Sequence, residues 1–253
     1  MSEIKVIAHR GANKYAPQNT IPAFERAIEL GIDGFETDIH LTKDGVPVIC
    51  HNYTVNDTSN GMGNISSYEF EDIRKLDFGS YFSPRFAETR IPTLDEFLDT
   101  ADKGDVKIIN IELKSPKNGE QGIVEKTIEA VKNHHLSSRL IISSFDYKLL
   151  IKAKEIDPDC RTAYLYSPNS KDMLKMWFRP FDFAEKIGCY ALHPMYCYVT
   201  KEYVKRAHNA GLKVNVWTID SERMIKYMVK CGVDGLITDC PDRVNSILRN
   251  TVF

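Results

Sequence analysis

No apolar run in this 253-residue chain approaches the roughly 20 residues that cross a bilayer, so neither a membrane-embedded protein nor a stable membrane anchor is expected. Met1 to Arg10 has one short apolar stretch and no signal-peptide architecture, which points to the cytoplasm. Cysteine is sparse: Cys50, Cys160, Cys189, Cys197, Cys231 and Cys240 form no Cys-x-x-Cys pair, and their spacings suit no zinc site. Reduced thiols packed as small apolar residues are expected. Neither sign of charge prevails. The 33 Lys+Arg against 35 Asp+Glu give a net charge of -2, which makes no electrostatic case for nucleic acid as a partner. Low-complexity tracts and interdomain linkers are missing too. What is present, 43% hydrophobic and 27% charged residues, is ordinary for a folded protein and excludes a disordered tail or a collagen-like fibre. The length fits one large α/β barrel or two smaller domains, and either can bury a sizeable core.

Short apolar runs alternate with amphipathic stretches. Strands are expected at Ile4–Ala8, Gly34–Leu41, Lys107–Leu113, Leu140–Phe145, Arg161–Tyr166, Tyr190–Leu192, Lys213–Thr218 and Gly235–Thr238. Helices lie between them. Phe24, Ala27 and Ile28 share one face before Gly31. Ile123, Thr127, Ile128 and Val131 do so between about Gly122 and His134, and a helix capped by Ser221 ends near Gly232. Continuous apolar strands joined by helices predict a parallel sheet covered by helices, and eight such units fit a closed (β/α)8 TIM barrel, with a doubly wound open sheet as the alternative. Gly31–Asp38 (GIDGFETD) and Gly232–Asp239 (GVDGLITD) echo each other as helix end, Asp-Gly turn and strand. Tyr53 to Arg90 is too long for a connection and reads as a small insertion subdomain after the second strand, within a single domain of 1–253. Its Phe78, Tyr81, Phe82 and Phe86 are expected to form its own small core.

In such a barrel the chemistry sits where strands end. Glu36 and Asp38 are two apart on a strand and share a face, and Glu112 on the neighbouring strand can meet them. Three carboxylates without a Cys ligand suit a hard divalent cation, Mg2+ or Ca2+. His9 and His51 follow apolar runs and form a candidate acid–base pair. Arg10 and Lys114 are cations suited to a phosphate oxygen. His40 shares the face of Glu36 and Asp38 and is read as a rim residue. His193, before Pro194, lines the pocket or belongs to a turn. His134, His135 and His208 lie on helical surfaces and receive no role. Together these groups fit phosphodiester cleavage, which needs positive charge on the non-bridging oxygens, a base for the attacking hydroxyl and an acid for the leaving alkoxide.

The stretch His9–Thr20 (HRGANKYAPQNT) resembles the opening motif of the glycerophosphodiester phosphodiesterases. Glu36-x-Asp38, Leu41–Gly45 (LTKDG), Val48–His51 (VICH), Leu76–Gly79 (LDFG), Ile91–Leu94 (IPTL), Ile111–Lys114 (IELK) and Val216–Thr218 (VWT) follow in that family's order. The resemblance implies a (β/α)8 barrel that hydrolyses glycerophosphodiesters to glycerol 3-phosphate and an alcohol. It implies Glu36, Asp38 and Glu112 as metal ligands, His9 and His51 as the acid–base pair, Arg10 and Lys114 on the phosphate, and Trp217 along the glycerol side. Two positions depart from the family's pattern: Asn52 stands where Asp is common, and Asp57 where Arg precedes Thr. Asn52 keeps an acceptor oxygen but not the charge. The alternatives are a lysophospholipase D acting on a mono-acylated diester, and a phosphodiester-binding protein without turnover.

Overall fold

The computed structural model describes residues 3–116, 121–167 and 180–250. Among the described residues there are nine strands: β1 (Lys5–His9), β2 (Gly34–Leu41), β3 (Pro47–Ile49), β4 (Ile108–Leu113), β5 (Leu140–Ser144), β6 (Thr162–Tyr166), β7 (Ala191–Pro194), β8 (Lys213–Val216) and β9 (Gly235–Thr238). Their order is β1-β9-β8-β7-β6-β5-β4-β2-β3, and a further β1–β2 pairing closes the ring. All pairings are parallel except β2–β3. The result is the expected (β/α)8 TIM barrel of eight parallel strands, with helices between them and β3 added outside.

The alternation along β2 fixes what faces inward. Phe35 packs with Phe24 from the helix Ile21–Glu29 (ring centroids 5.2 Å apart) and with Phe97 from the helix Leu94–Lys103 (5.6 Å). With Phe35 and Ile39 pinned among the helices, period-two alternation turns Glu36, Asp38 and His40 into the barrel, where all three are buried. Strand β4 does the same, with Ile109, Ile111 and Leu113 in the apolar cluster and Asn110 and Glu112 buried on its other face.

The internal echo has a physical basis at the opposite end of the barrel. Asp33 accepts hydrogen bonds from the Val6 N–H (2.9 Å) and Lys5 Nζ (3.1 Å). Asp234 does the same for Val214 N–H and Lys213 Nζ, both at 2.9 Å. Each Asp-Gly turn thus ties its strand to the start of the strand beside it.

Residues 53–90 contain short helical pieces at Ile65–Ser67, Phe70–Ile73 and Pro84–Phe86. Val55, Ile65, Ile73 and Phe78 join Val48, Cys50 and Ile91 in a separate small apolar cluster. Arg74 fastens the segment to the barrel, donating from both terminal nitrogens to Glu96 (2.7 and 2.5 Å), the residue that completes the capping box of Thr93. The expected aromatic core of the insertion needs correction. Only Phe78 is buried, while Tyr81 and Phe82 are 42% and 37% exposed.

Candidate active site

β1 runs one residue further than the apolar pattern indicated, so His9 lies inside the ladder and pairs directly with Glu36. Directly after it the chain doubles back. Gly11 has φ +80, and a Cβ there would sit 2.7 Å from the Ala23 carbonyl carbon. That turn delivers Arg10, Asn13 and Asn19 to the same end of the barrel. On the other side, Asp38 pairs with Glu112 across β2 and β4.

The side chains meet as these registers require. A carboxylate oxygen from each of Glu36, Asp38 and Glu112 lies within 4.8 Å of the others. Lys114 Nζ lies 2.8 Å from Asp38 Oδ1 and 2.5 Å from Glu112 Oε1. Arg10 Nε forms an ion pair with Asp38 Oδ2 at 3.4 Å, and that oxygen accepts a hydrogen bond from Asn19 Nδ2 at 2.9 Å. His9 Nε2 is 3.9 Å from Glu36 Oε2, an atom that is buried without a hydrogen-bond partner among the described residues. His9 Nδ1 is 2.6 Å from Asp239 Oδ1, which also accepts from Asn13 Nδ2 at 2.6 Å.

Electrostatics divides the three carboxylates. Burial, then the nearby Asp38 and Glu112 charges, holds the Glu36 carboxyl well above its ordinary range. Burial likewise lifts Glu112 to about 7, against the pull of Lys114. Burial would also raise Asp38, but Lys114 and then Arg10 outweigh it and keep this carboxyl below its usual value. A cluster of buried acids in which Glu36 Oε2 and Asp38 Oδ1 have no hydrogen-bond partner among the described residues, built only from hard oxygen donors, fits Mg2+ or Ca2+.

His51 follows β3, which folds back on β2 with Ile49 opposite Ile39; Cys50 N–H then donates to Asp38 O at 2.9 Å. This hairpin accounts for one element the sequence pattern left out and for one residue it misread. The first is β3 itself, an apolar run behind the Asp44-Gly45 turn. The second is His40, which is a buried residue and not a rim residue. Its Nε2 lies 3.2 Å from the His51 carbonyl oxygen and its ring meets Tyr53 edge to face at 4.8 Å. Burial pushes the His51 imidazole down to about 4, so it rests neutral. Its Nδ1 is 2.7 Å from Asn52 Oδ1.

Across the barrel, Trp217 Nε1 donates to the His193 carbonyl at 2.7 Å, and its ring meets Phe145 edge to face at 5.9 Å. His193 itself lies within β7, fully buried, and is neither a turn residue nor open to the pocket. Asn215 Nδ2 lies 3.0 Å from His193 Nε2, and burial lowers this imidazole to about 3. In the unfolded chain it titrates near 6.5. Its contribution to stability is complete above that pH and is lost as pH falls towards 3. Between pH 8 and pH 5 the parent protein should therefore lose roughly 2 kcal/mol more unfolding free energy than a His193→Gln variant, measured from urea midpoints. Equal losses would contradict the neutral, buried state.

A profile of the Glycerophosphoryl diester phosphodiesterase family matches residues 9–243. The chain belongs to this family. It is 41% identical over 244 residues to the glycerophosphodiester phosphodiesterase of Caldanaerobacter subterraneus, covering 96% of this chain and 97% of that one. It is 34% identical to the enzyme of that name from Bacillus altitudinis, over 96% and 97% of the two chains. Among solved structures, the Oleispira antarctica phosphodiesterase in complex with the product sn-glycerol-3-phosphate superposes with a TM-score of 0.88 at 29% identity, over 97% of both chains.

Membership of the glycerophosphoryl diester phosphodiesterase family sets aside the reading without turnover: the chain is a phosphodiesterase. Sequence reasoning missed Asp239, Asn13 and Asn19. Asp239 was marked by the internal echo, in which it stands where Asp38 stands in the first copy. Asn13 and Asn19 lie in the opening motif but carry no charge to draw notice.

Proposed function

We propose that this phosphodiesterase hydrolyses glycerophosphodiesters to glycerol 3-phosphate and an alcohol, with His9 and His51 as the acid–base pair. The observation that carries this reading is the convergence at one end of the barrel of two imidazoles, the buried Lys114, the partly exposed Arg10 and three carboxylates. Glu36, Asp38 and Glu112 would hold a divalent cation, Mg2+ or Ca2+, which when bound supplies positive charge to the phosphate oxygens. Lys114 donates one of its three protons to Glu112 and pairs by charge with Asp38, which leaves a proton for a non-bridging oxygen. Arg10 adds a second fixed charge, and its Nη1 donates to Gln18 Oε1 at 2.7 Å. The Asp239 carboxylate fixes the His9 proton on Nδ1, so its Nε2 faces the carboxylate cluster. One imidazole takes the proton of the attacking hydroxyl, whether the substrate's own 2-hydroxyl or water. The other delivers a proton to the leaving alkoxide. Trp217, steadied by His193 and Phe145, forms the apolar wall for the glycerol.

Release of glycerol 3-phosphate from glycerophosphocholine tests the reading. Activity should vanish in excess chelator and return with added Mg2+ or Ca2+; full activity in chelator would remove the cation from the mechanism. A second substrate class has an observation in its favour. Tyr81 and Phe82 stand exposed on the insertion instead of filling its core, a surface suited to one acyl chain. Faster turnover of lysophosphatidylcholine than of glycerophosphocholine would favour that class. Among the described residues no helix is long and apolar enough to cross a membrane. The six unpaired thiols are consistent with a cytoplasmic location.

A further inference from the structure

We propose that Asp57 sets the orientation of the Asn52 amide and, through it, the tautomer of His51. His51 Nδ1 lies 2.7 Å from Asn52 Oδ1, and Asn52 Nδ2 donates to Asp57 Oδ2 at 2.8 Å. An amide has one accepting end and one donating end. When its oxygen faces the imidazole, Nδ1 must carry the ring proton, and Nε2 keeps a lone pair for the substrate. A flipped amide would offer an N–H to Nδ1 and drive the proton to Nε2, the wrong tautomer for a base. Nothing in Asn52 itself chooses between these states. Asp57 does, because an ionised carboxylate only accepts hydrogen bonds and binds the NH2 end. Flipping would turn the amide oxygen against a negative charge. Asp57 thus works as a positioning residue, one step removed from the imidazole and out on the surface. The inference rests on His51 being an acid–base group.

The test compares three variants by kcat, KM and the 15N shifts of the His51 ring nitrogens, assigned with a His51→Ala control. The parent should show Nδ1–H. Asp57→Ala should lower kcat by roughly 10-fold with KM nearly unchanged, the scale of one hydrogen bond to a charged group, and should give mixed ring signals. Asp57→Lys puts a donor where the acceptor stood, so it should turn the amide over, shift the proton to Nε2 and cost more than Ala. Adding Asn52→Asp to Asp57→Lys should restore Nδ1–H and bring kcat to within a few-fold of the parent, since a carboxylate has no wrong end. Parent-like kcat and ring signals in both single variants would overturn the proposal, as would failure of the double variant to improve on Asp57→Lys. Should Asp57→Ala not fold, the Lys pair decides alone. An active His51→Ala would defeat the functional reading instead, whereas an inactive His51→Ala beside silent Asp57 variants would defeat only this inference.

Discussion

His9→Ala and His51→Ala should each lower kcat by roughly 10²- to 10⁴-fold, the range for loss of a positioned general acid or base. KM should move much less, because the groups that would neutralise the phosphate, Arg10 and Lys114, are untouched. The two losses should not multiply. One transition state needs a proton removed and a proton delivered, so the second deletion removes help from a step already crippled by the first. The double variant is expected within about 10-fold of the weaker single variant. Asp239→Ala should fall between the parent and His9→Ala, since it frees the imidazole that Asp239 holds at 2.6 Å without removing it. Steady-state release of glycerol 3-phosphate by these variants, with folding checked by melting temperature, measures all of this. A His9→Ala or His51→Ala enzyme within 10-fold of the parent would remove that imidazole from the chemistry.

The residues that carry this expectation were legible because strands impose a period of two. Glu36 and Asp38 had to share a face, and the apolar Phe35 and Ile39 said which face the helices would take. Asp239 was harder to read. In sequence it lies 230 residues from His9, and only the closed ring, with β9 beside β1, brings them together. His40 was misread for a related reason. The alternation placed it correctly on the inner face, but its burial depends on the antiparallel return of β3, which brings the residues up to Tyr53 over it. The aromatics of the insertion failed differently. Hydrophobic composition alone does not say which rings are buried, and in 53–90 the aliphatic Val55, Ile65 and Ile73 with Phe78 fill the small core. His193 sits in a strand that runs two residues past the apolar pattern, because the proline after it comes at the strand end, where its missing N–H is tolerated.

Lys114→Met should be the costliest change to the fold at this site. Lys114 is 8% exposed and lies between Asp38 and Glu112, so its charge offsets buried carboxylates that have little water to solvate them. Removing one partner of a buried ionic cluster leaves the others uncompensated, a loss of roughly 3–5 kcal/mol. For a chain of this size that lowers the melting temperature by roughly 10 °C when measured in chelator. A methionine fills much of the same volume, so the loss reflects charge more than an empty cavity. Divalent cation should then act as a partial replacement. It gains the ligands' full attraction once the competing ammonium is gone, so Mg2+ or Ca2+ should raise the melting temperature of Lys114→Met by more than it raises that of the parent. Activity should not return with stability, because the proton left for a phosphate oxygen is lost with the ammonium. Melting curves of both proteins with and without cation, beside turnover of glycerophosphocholine, separate the two effects. If the cation shifted both melting temperatures equally, Lys114 and the metal would not be sharing the same carboxylates, and the assignment of Glu36, Asp38 and Glu112 as the cation's ligands would have to be abandoned.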